Sequence, residues 1–416
     1  MRRALLAALF VVWACASCRA ATPPAGATPG VSLEATCTPV AAPAATRTDT
    51  PTPTSTSTPT MTPKPPTPAS TPTSVPPTPE PVLPTREVGT PTLSATPPVS
   101  CSLPAVAPAG RERFGVGVPE RAGVLGDYAV ERLGMGWYLN WRVEVAPLHP
   151  NGAVFWQMVR VSEKGYWPDA AAIGAAARAN PGAVWLIGNE PDVRWQDNTT
   201  PERYAEWYGE LYALLKSVDP TARVAIGGVA QPTPLRLAYL DRVLAAYEAR
   251  YGAPITVDVW NVHNFILREE RNSWGVDIPP GLDASSGMLY EIDDHDDLDL
   301  FKQQIVDFRR WMDGRGQRDK PLAVSEYGIV MPPDYGFDLE RVQAFMYASF
   351  DYFLTATDAQ LGYPPDGNRL VQWWCWFSLA DTTYPTGNLF DPQTRAVTPL
   401  GAAFARYAPP RENVKP

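Results

Sequence analysis

From Arg113 to Leu379 two periodicities take turns along the chain. Short apolar runs, rich in β-branched and aromatic residues, read as buried strands. The stretches between them carry apolar residues every three or four positions, as a helix with one buried face does. Eight strands are predicted, near Arg113–Val118, Met135–Val143, Ala153–Val161, Ala183–Glu190, Arg223–Ala230, Val257–Ile266, Leu322–Ile329 and Leu370–Leu379. After the fourth, Thr200 can cap a helix, Pro201 suits its first turn, and Tyr204, Trp207, Tyr208, Leu211, Leu215 and Val218 share one stripe. Similar stripes occupy Leu235–Tyr251, Leu300–Met312 and Leu339–Leu354. Strands alternating with helices make a parallel α/β sheet, because a parallel return needs a crossover long enough to hold a helix. Eight such units can close a (β/α)8, or TIM, barrel; an open doubly wound sheet is the competing arrangement. No glycine-rich phosphate loop follows any strand, which weighs against the nucleotide-binding form of that competitor.

The N-terminal quarter shares neither period. Arg2 and Arg3 precede an apolar run from Ala4 to Ala14 and then small residues, the layout of a secretory signal over residues 1–18 and too short for a permanent membrane span. Cys18 behind Cys15-Ala16-Ser17 is a candidate lipid attachment site, ordinary cleavage near Ala16 being the alternative. Residues 19–110 are dominated by Thr, Pro, Ser and Ala, as in Thr50-Pro51-Thr52-Pro53-Thr54, and have almost nothing to bury. This composition predicts a disordered, extended linker or stalk. Residues 111–416 are left for one barrel-sized domain, placed outside the cell, secreted or held at the surface by a lipid. The net charge of −9, with no basic patch among aromatics, weighs against a nucleic-acid partner. Only Cys375 of the five cysteines falls in that domain, so no disulfide forms within it. Cys37 and Cys101 bracket the stalk and could pair with each other or with another chain.

Chemistry in such a barrel sits where strands end. The fourth ends Trp185-Leu186-Ile187-Gly188-Asn189-Glu190-Pro191-Asp192 and the seventh Leu322-Ala323-Val324-Ser325-Glu326-Tyr327-Gly328. Either glutamate alone also reads as a cap of the next helix or a partner for an exposed arginine. Together they are the pair that glycosidic cleavage requires, and a buried carboxylate costs desolvation that such chemistry would justify.

With these motifs the sequence resembles the clan A glycoside hydrolases, the cellulase-like (β/α)8 enzymes, from about Phe114 to Tyr407. Gly188-Asn189-Glu190-Pro191 and Ser325-Glu326-Tyr327-Gly328 match the clan's fourth- and seventh-strand ends. Trp137-Tyr138-Leu139-Asn140-Trp141 followed by Asn189-Glu190-Pro191-Asp192 is most similar to the catalytic-core family that includes β-1,3-glucanases. The resemblance implies a retaining hydrolase of β-linked poly- or oligosaccharide that uses no cofactor and no metal. Glu190 would be acid/base, Asn189 the donor to the sugar 2-hydroxyl, and Glu326 the nucleophile.

On the sixth strand the clan often carries His-x-Tyr, the Tyr hydroxyl steadying the nucleophile; here His263 fits but Phe265 has no hydroxyl, and Tyr327 is the candidate substitute. Clan members place a Trp of the eighth strand under the reacting sugar. Trp376, nearest the C-terminal end, is the first candidate and Trp374 the second. Asn140 and Trp141, with Trp137 and Tyr138, are candidates on the second strand; all these aromatics also read as core. The long loop Leu267–Leu298 is expected to wall a cleft. Its Asp293-Asp294-His295-Asp296-Asp297 cluster lacks the spacing of a calcium loop and reads first as an acidic helix start. The competing class is a surface saccharide-binding barrel without catalysis, and a third is a stalked structural or adhesive protein.

Overall fold

Strand β1 (Phe114–Gly117) lies at the seam where the chain's first and last strands meet. It pairs in parallel with β2 (Trp137–Leu139) on one side and with β10 (Trp373–Trp376) on the other. This is a computed structural model of the protein, and it describes residues 110–408. The signal, the stalk, Cys18, Cys37 and Cys101 fall outside the described residues.

From β10 the parallel sheet continues to β9 (Leu322–Tyr327) and β8 (Trp260–His263). From β2 it continues to β3 (Val154–Phe155), and the chain runs through Trp156 straight into β4 (Gln157–Ser162). That second half pairs with β6 (Val184–Ile187), which pairs with β7 (Arg223–Ile226); β5 (Gly165–Trp167) turns back outside as an antiparallel hairpin. A parallel bridge between Ala225 and Val259 joins β7 to β8 and closes the ring. Counting β3 and β4 as one, eight strands close the barrel at the positions expected.

The helices fall short of eight. Six are present among the described residues: α1 (Ala170–Ala179), α2 (Pro201–Val218), α3 (Pro234–Tyr251), α4 (Leu298–Asp313), α5 (Leu339–Thr355) and α6 (Pro399–Tyr407). The first two crossovers hold only short 3-10 turns, as suits segments broken by Gly123, Gly126, Pro147, Pro150 and Gly152. Asp169, Asp297, Asp338 and Thr398 cap α1, α4, α5 and α6 through their side chains.

Side chains alternate between two cores. Trp137, Leu139, Trp156, Met158, Val184, Leu186, Ala323, Trp373 and Cys375 fill the barrel interior, with Trp137 stacked on Trp156 at 4.0 Å. Phe114, Tyr138, Trp185, Val262, Tyr327, Trp374 and Trp376 belong to the outer core beneath the helices. This alternation decides which residues can reach the mouth of the barrel.

Candidate active site

At the C-terminal end of the barrel His263, on β8, stands between two glutamates. Its Nδ1 lies 2.8 Å from Glu190 Oε1 and its Nε2 lies 3.5 Å from Glu326 Oε1. One ligand atom from each of the three residues lies within 4.8 Å of the other two. All three are buried; among the described residues this is also the group that could offer three ligand atoms to one metal ion.

Glu190 follows β6 on backbone that has left the sheet, with Gly188 at φ 88° and Glu190 itself at φ 43°. The turn is tied down from below. The Asp197 carboxylate accepts from the Asn189 N–H at 2.8 Å, the Val161 N–H at 3.0 Å and Arg160 Nε at 2.6 Å. The Glu190 N–H donates to Gly228 O at 3.0 Å. Beside it the fully buried Arg236 pairs with Asp192 and, at 2.8 Å, with Glu269, and donates to the carbonyls of Val276 and Asp277. Thus one guanidinium holds the fourth-strand end against the Leu267–Leu298 loop.

Glu326 reaches the site by a different route. Along β9, Val324 pairs with Trp374 and Tyr327 with Trp376, so three steps on β9 oppose two on β10. The register also shifts against β8, where His263 pairs with Glu326. This extra residue is a β-bulge, which re-aims the side chains beyond it. Val324 and Tyr327 both face the outer core while Glu326 turns inward.

The electrostatics follow from burial. Burial is the main cause that lifts the Glu326 carboxyl to about 7; His263 opposes it, the Glu190 charge adds to it, and a hydrogen bond from Trp141 opposes it. For His263 burial disfavours the charged ring, but the two carboxylates prevail and its pKa is raised. Burial likewise raises Asp192 and Asp197 against the pull of Arg236 and Arg160.

A cleft opens over the cluster. Glu190, Glu326 and Gln196 are its polar lining. Val193, Trp195, Phe265, Leu267, Val276, Val330, Phe377 and Tyr384 supply most of the rest. Leu267, Gly275 and Val276 show the long loop walling one side, as expected. Its acidic cluster serves local structure: Asp297 caps α4, Asp296 pairs with Arg341, and buried His295 links Ile266 O to the Val330 N–H.

Several sequence-based placements need correction. Trp374 and Trp376 face the helices, the latter donating to Gly387 O at 2.8 Å. Alternation sends Trp373 and Cys375 inward, so the next residue of that parity, Phe377, is the one at the cleft. Tyr327, beyond the bulge, packs among Phe301, Phe353 and Trp376, and its hydroxyl meets Ser349 at 3.3 Å. Asn189 is fully buried and its amide donates to Gln196 Oε1 at 3.3 Å; Gln196, not Asn189, lines the cleft. Asn140 spends its amide on Glu120 and Glu144 and its oxygen on the Arg142 N–H, holding a turn. Trp137 fills the interior, and Tyr138 faces outward with its hydroxyl on Leu148 O. Trp141 does meet the site, donating from Nε1 to Glu326 Oε1 at 2.6 Å. Arg236, Asp197, Gln196 and Trp195 were not anticipated. Asp192 and Asp197, both close behind Glu190 in sequence, were the available signal.

No family model and no curated protein matches this chain. Solved structures of similar shape include an endo-β-1,3-glucanase of GH128 subgroup II from Pseudomonas viridiflava, at 19% identity and TM-score 0.48, covering 70% of this chain and 96% of that one. Another is a subgroup I endo-β-1,3-glucanase from Amycolatopsis mediterranei in complex with laminaritriose, at 18% identity and TM-score 0.47, covering 71% and 99%. A third is a subgroup III curdlan-specific exo-β-1,3-glucanase from Blastomyces gilchristii in complex with glucose, at 18% identity and TM-score 0.47, covering 71% and 98%. Likeness at this level leaves the reaction to be argued from the chain's own residues.

Proposed function

We propose that this chain is a retaining glycoside hydrolase acting on a β-linked glucan or related polysaccharide, exported and held at or released from the cell surface. The observation that carries the reading is the carboxylate pair: an oxygen of Glu190 and one of Glu326 lie within 4.8 Å at the mouth of a barrel. Retaining enzymes hold their carboxyls about 5–5.5 Å apart, against about 6.5–9.5 Å where a water must fit between nucleophile and sugar. Glu190 protonates the leaving oxygen while Glu326 attacks the anomeric carbon. Water, deprotonated by Glu190, then breaks the ester. The first step needs the proton on Glu190 and an ionised Glu326, and the hydrogen bond from Trp141 favours that ionised form. Trp195, Phe377 and Tyr384 offer apolar and aromatic surface to sugar faces, and Gln196 offers a polar contact. No metal or cofactor takes part in this reading. Export rests on the N-terminal sequence, with a lipid on Cys18 as the candidate anchor.

Reducing-sugar release from β-1,3-, β-1,4- and mixed-linkage glucans, mannan and xylan tests the reading. Both Glu190→Ala and Glu326→Ala should abolish release, and proton NMR should show the β-anomer as first product. Full activity in both variants sinks the assignment, and an α-anomer first removes the nucleophile role from Glu326. Saccharide affinity without turnover would instead mark a binding barrel.

A further inference from the structure

The sixth strand lacks the hydroxyl that would steady Glu326, since Phe265 carries none, and Tyr327 faces away from the site. Another donor occupies that role. We propose that Trp141 is the positioning residue for the Glu326 carboxylate, its indole N–H fixing Oε1 so that Oε2 is left to attack. The proposal rests on the glycosidase reading for its purpose, but not for its test.

Three independent features converge on this indole. Its Nε1 donates to Glu326 Oε1 at 2.6 Å, while the neighbouring His263 Nε2 stands 3.5 Å from the same oxygen without a hydrogen bond, which leaves the indole as the donor. Trp141 sits at φ 61°, in the left-handed region that bulky side chains avoid and that persists only where the surroundings over-determine it. Those surroundings are present. Asn140 Oδ1 accepts the Arg142 N–H, the Met158 N–H donates to Arg142 O at 2.9 Å, and the Gln157 side chain clasps the Glu144 backbone at 2.7 and 2.8 Å. Finally, β1 carries Gly117 close against the indole: a Cβ there would lie 3.0 Å from Trp141 Cη2. Phe377 also meets the ring in an edge-to-face contact, 6.0 Å between centroids. A side chain fixed by an over-determined backbone, a close glycine and an aromatic neighbour has one polar atom, and that atom is aimed at the carboxylate.

The consequence is electrostatic. A donor to a carboxylate favours its ionised form. The charged or titratable groups around Glu326 are Glu190, which disfavours ionisation, His263 and Arg160, which favour it, and buried Cys375. Removing the indole N–H should therefore raise the Glu326 midpoint, whereas loss of a merely structural ring would lower activity equally at every pH.

The test uses the full chain labelled with [13Cδ]glutamate, the Glu326 signal being assigned by its disappearance in Glu326→Gln. In Trp141→Phe, which keeps an aromatic ring against Phe377, the carboxyl midpoint should rise by about one pH unit. Gly117→Ala, which crowds the indole, should move it in the same direction by less, and it supplies the readout if the Phe variant does not fold. Where a substrate is cleaved, the acid limb of kcat/KM should shift upward with the midpoint. An unchanged or lowered midpoint overturns the proposal. If no glycoside is hydrolysed the titration still decides the role of Trp141, so failure of the glycosidase reading and failure of that role are separate results.

Discussion

The two strand ends that deliver Glu190 and Glu326 to one spot use opposite means. After β6 the chain leaves the sheet through Gly188 and Glu190 at positive φ, and the turn is held by buried ions, Asp197 with Arg160 and Asp192 with Arg236. Strand β9 never leaves the sheet; a bulge at Ser325 turns Glu326 inward while Val324 stays paired to β8 and β10, Glu326 to β8 and Tyr327 to β10. The fourth-strand end therefore depends on partners distant in sequence, on α3 and the long loop. The seventh depends on its neighbours in the barrel.

The largest effects should fall on catalysis, where the two glutamates have unlike duties. Glu190→Ala should lower kcat/KM on an alkyl glycoside by about 10²–10⁴-fold, spare the first step for an activated aryl glycoside, and recover turnover with azide. Glu326→Ala should show no azide rescue to a β-product, so steady-state rates with and without azide separate the roles. Equal rescue in both would erase the distinction drawn between the ends.

Stability should divide them next. Arg236→Leu leaves Asp192 and Glu269 buried without their partner, a loss of about 3–5 kcal/mol for a broken buried pair. Denaturant unfolding should show it, with faster proteolysis in the Leu267–Leu298 loop; a loss below about 1 kcal/mol would mean that the fourth-strand end does not depend on these ions. At the seventh, the native state holds a proton on Glu326 more tightly than the unfolded chain does, at about 7 against 4.5. Its stability contribution is full below pH 4.5 and is lost as pH rises through 7, about 3 kcal/mol in all. Glu326→Gln should remove that dependence and be the more stable form at pH 8. Buried His295, lowered to about 4, works in the other direction, losing stability as pH falls from 6.5 through 4. The difference between variant and parent, measured in urea at pH 4.5 and 8, is accordingly the quantity to follow.

The sequence placed the eight strands and the glutamate at each of these two ends because a buried strand is written in a continuous apolar run, and a charged residue closing one stands out. It placed His263 as well. It misplaced Tyr327 because a bulge leaves no mark on composition: strict alternation from Ala323 would have put Tyr327 inside and Glu326 out. Trp374 and Trp376 were chosen for nearness to the strand end; the run Trp373–Phe377 is apolar at every position and carries no parity, so only the fold shows that Phe377 shares the inward side of Trp373 and Cys375. Arg236 reads as an ordinary surface arginine of a helix until two distant carboxylates are folded against it. The missing helices of the first two crossovers were legible in their Gly and Pro residues.

The smallest expected effects test the comparison at single atoms. At Gly188, φ is 88°, and an added Cβ would lie 3.1 Å from Tyr204 and 3.2 Å from Val161. Alanine there must carry left-handed strain of roughly 1–2 kcal/mol and push on two buried side chains. Any relief moves the backbone that aims Glu190 at His263, so Gly188→Ala should lower both the melting temperature and kcat. Ser325 is the counterpart within the bulge. Its hydroxyl is buried with no partner, and its N–H, not its side chain, is engaged, donating to Asn261 Oδ1 at 3.2 Å. Removing an unpaired buried hydroxyl relieves a desolvation penalty, so Ser325→Ala should be neutral or stabilising by up to about 1 kcal/mol. Because the bulge is a property of the β9 backbone, Glu326 should stay aimed inward and kcat should be unchanged. Thermal melts and initial rates on the two variants decide the matter. If Ser325→Ala loses activity as Gly188→Ala does, the side chain of Ser325 helps to set the bulge, and the seventh strand is held by more than its sheet neighbours.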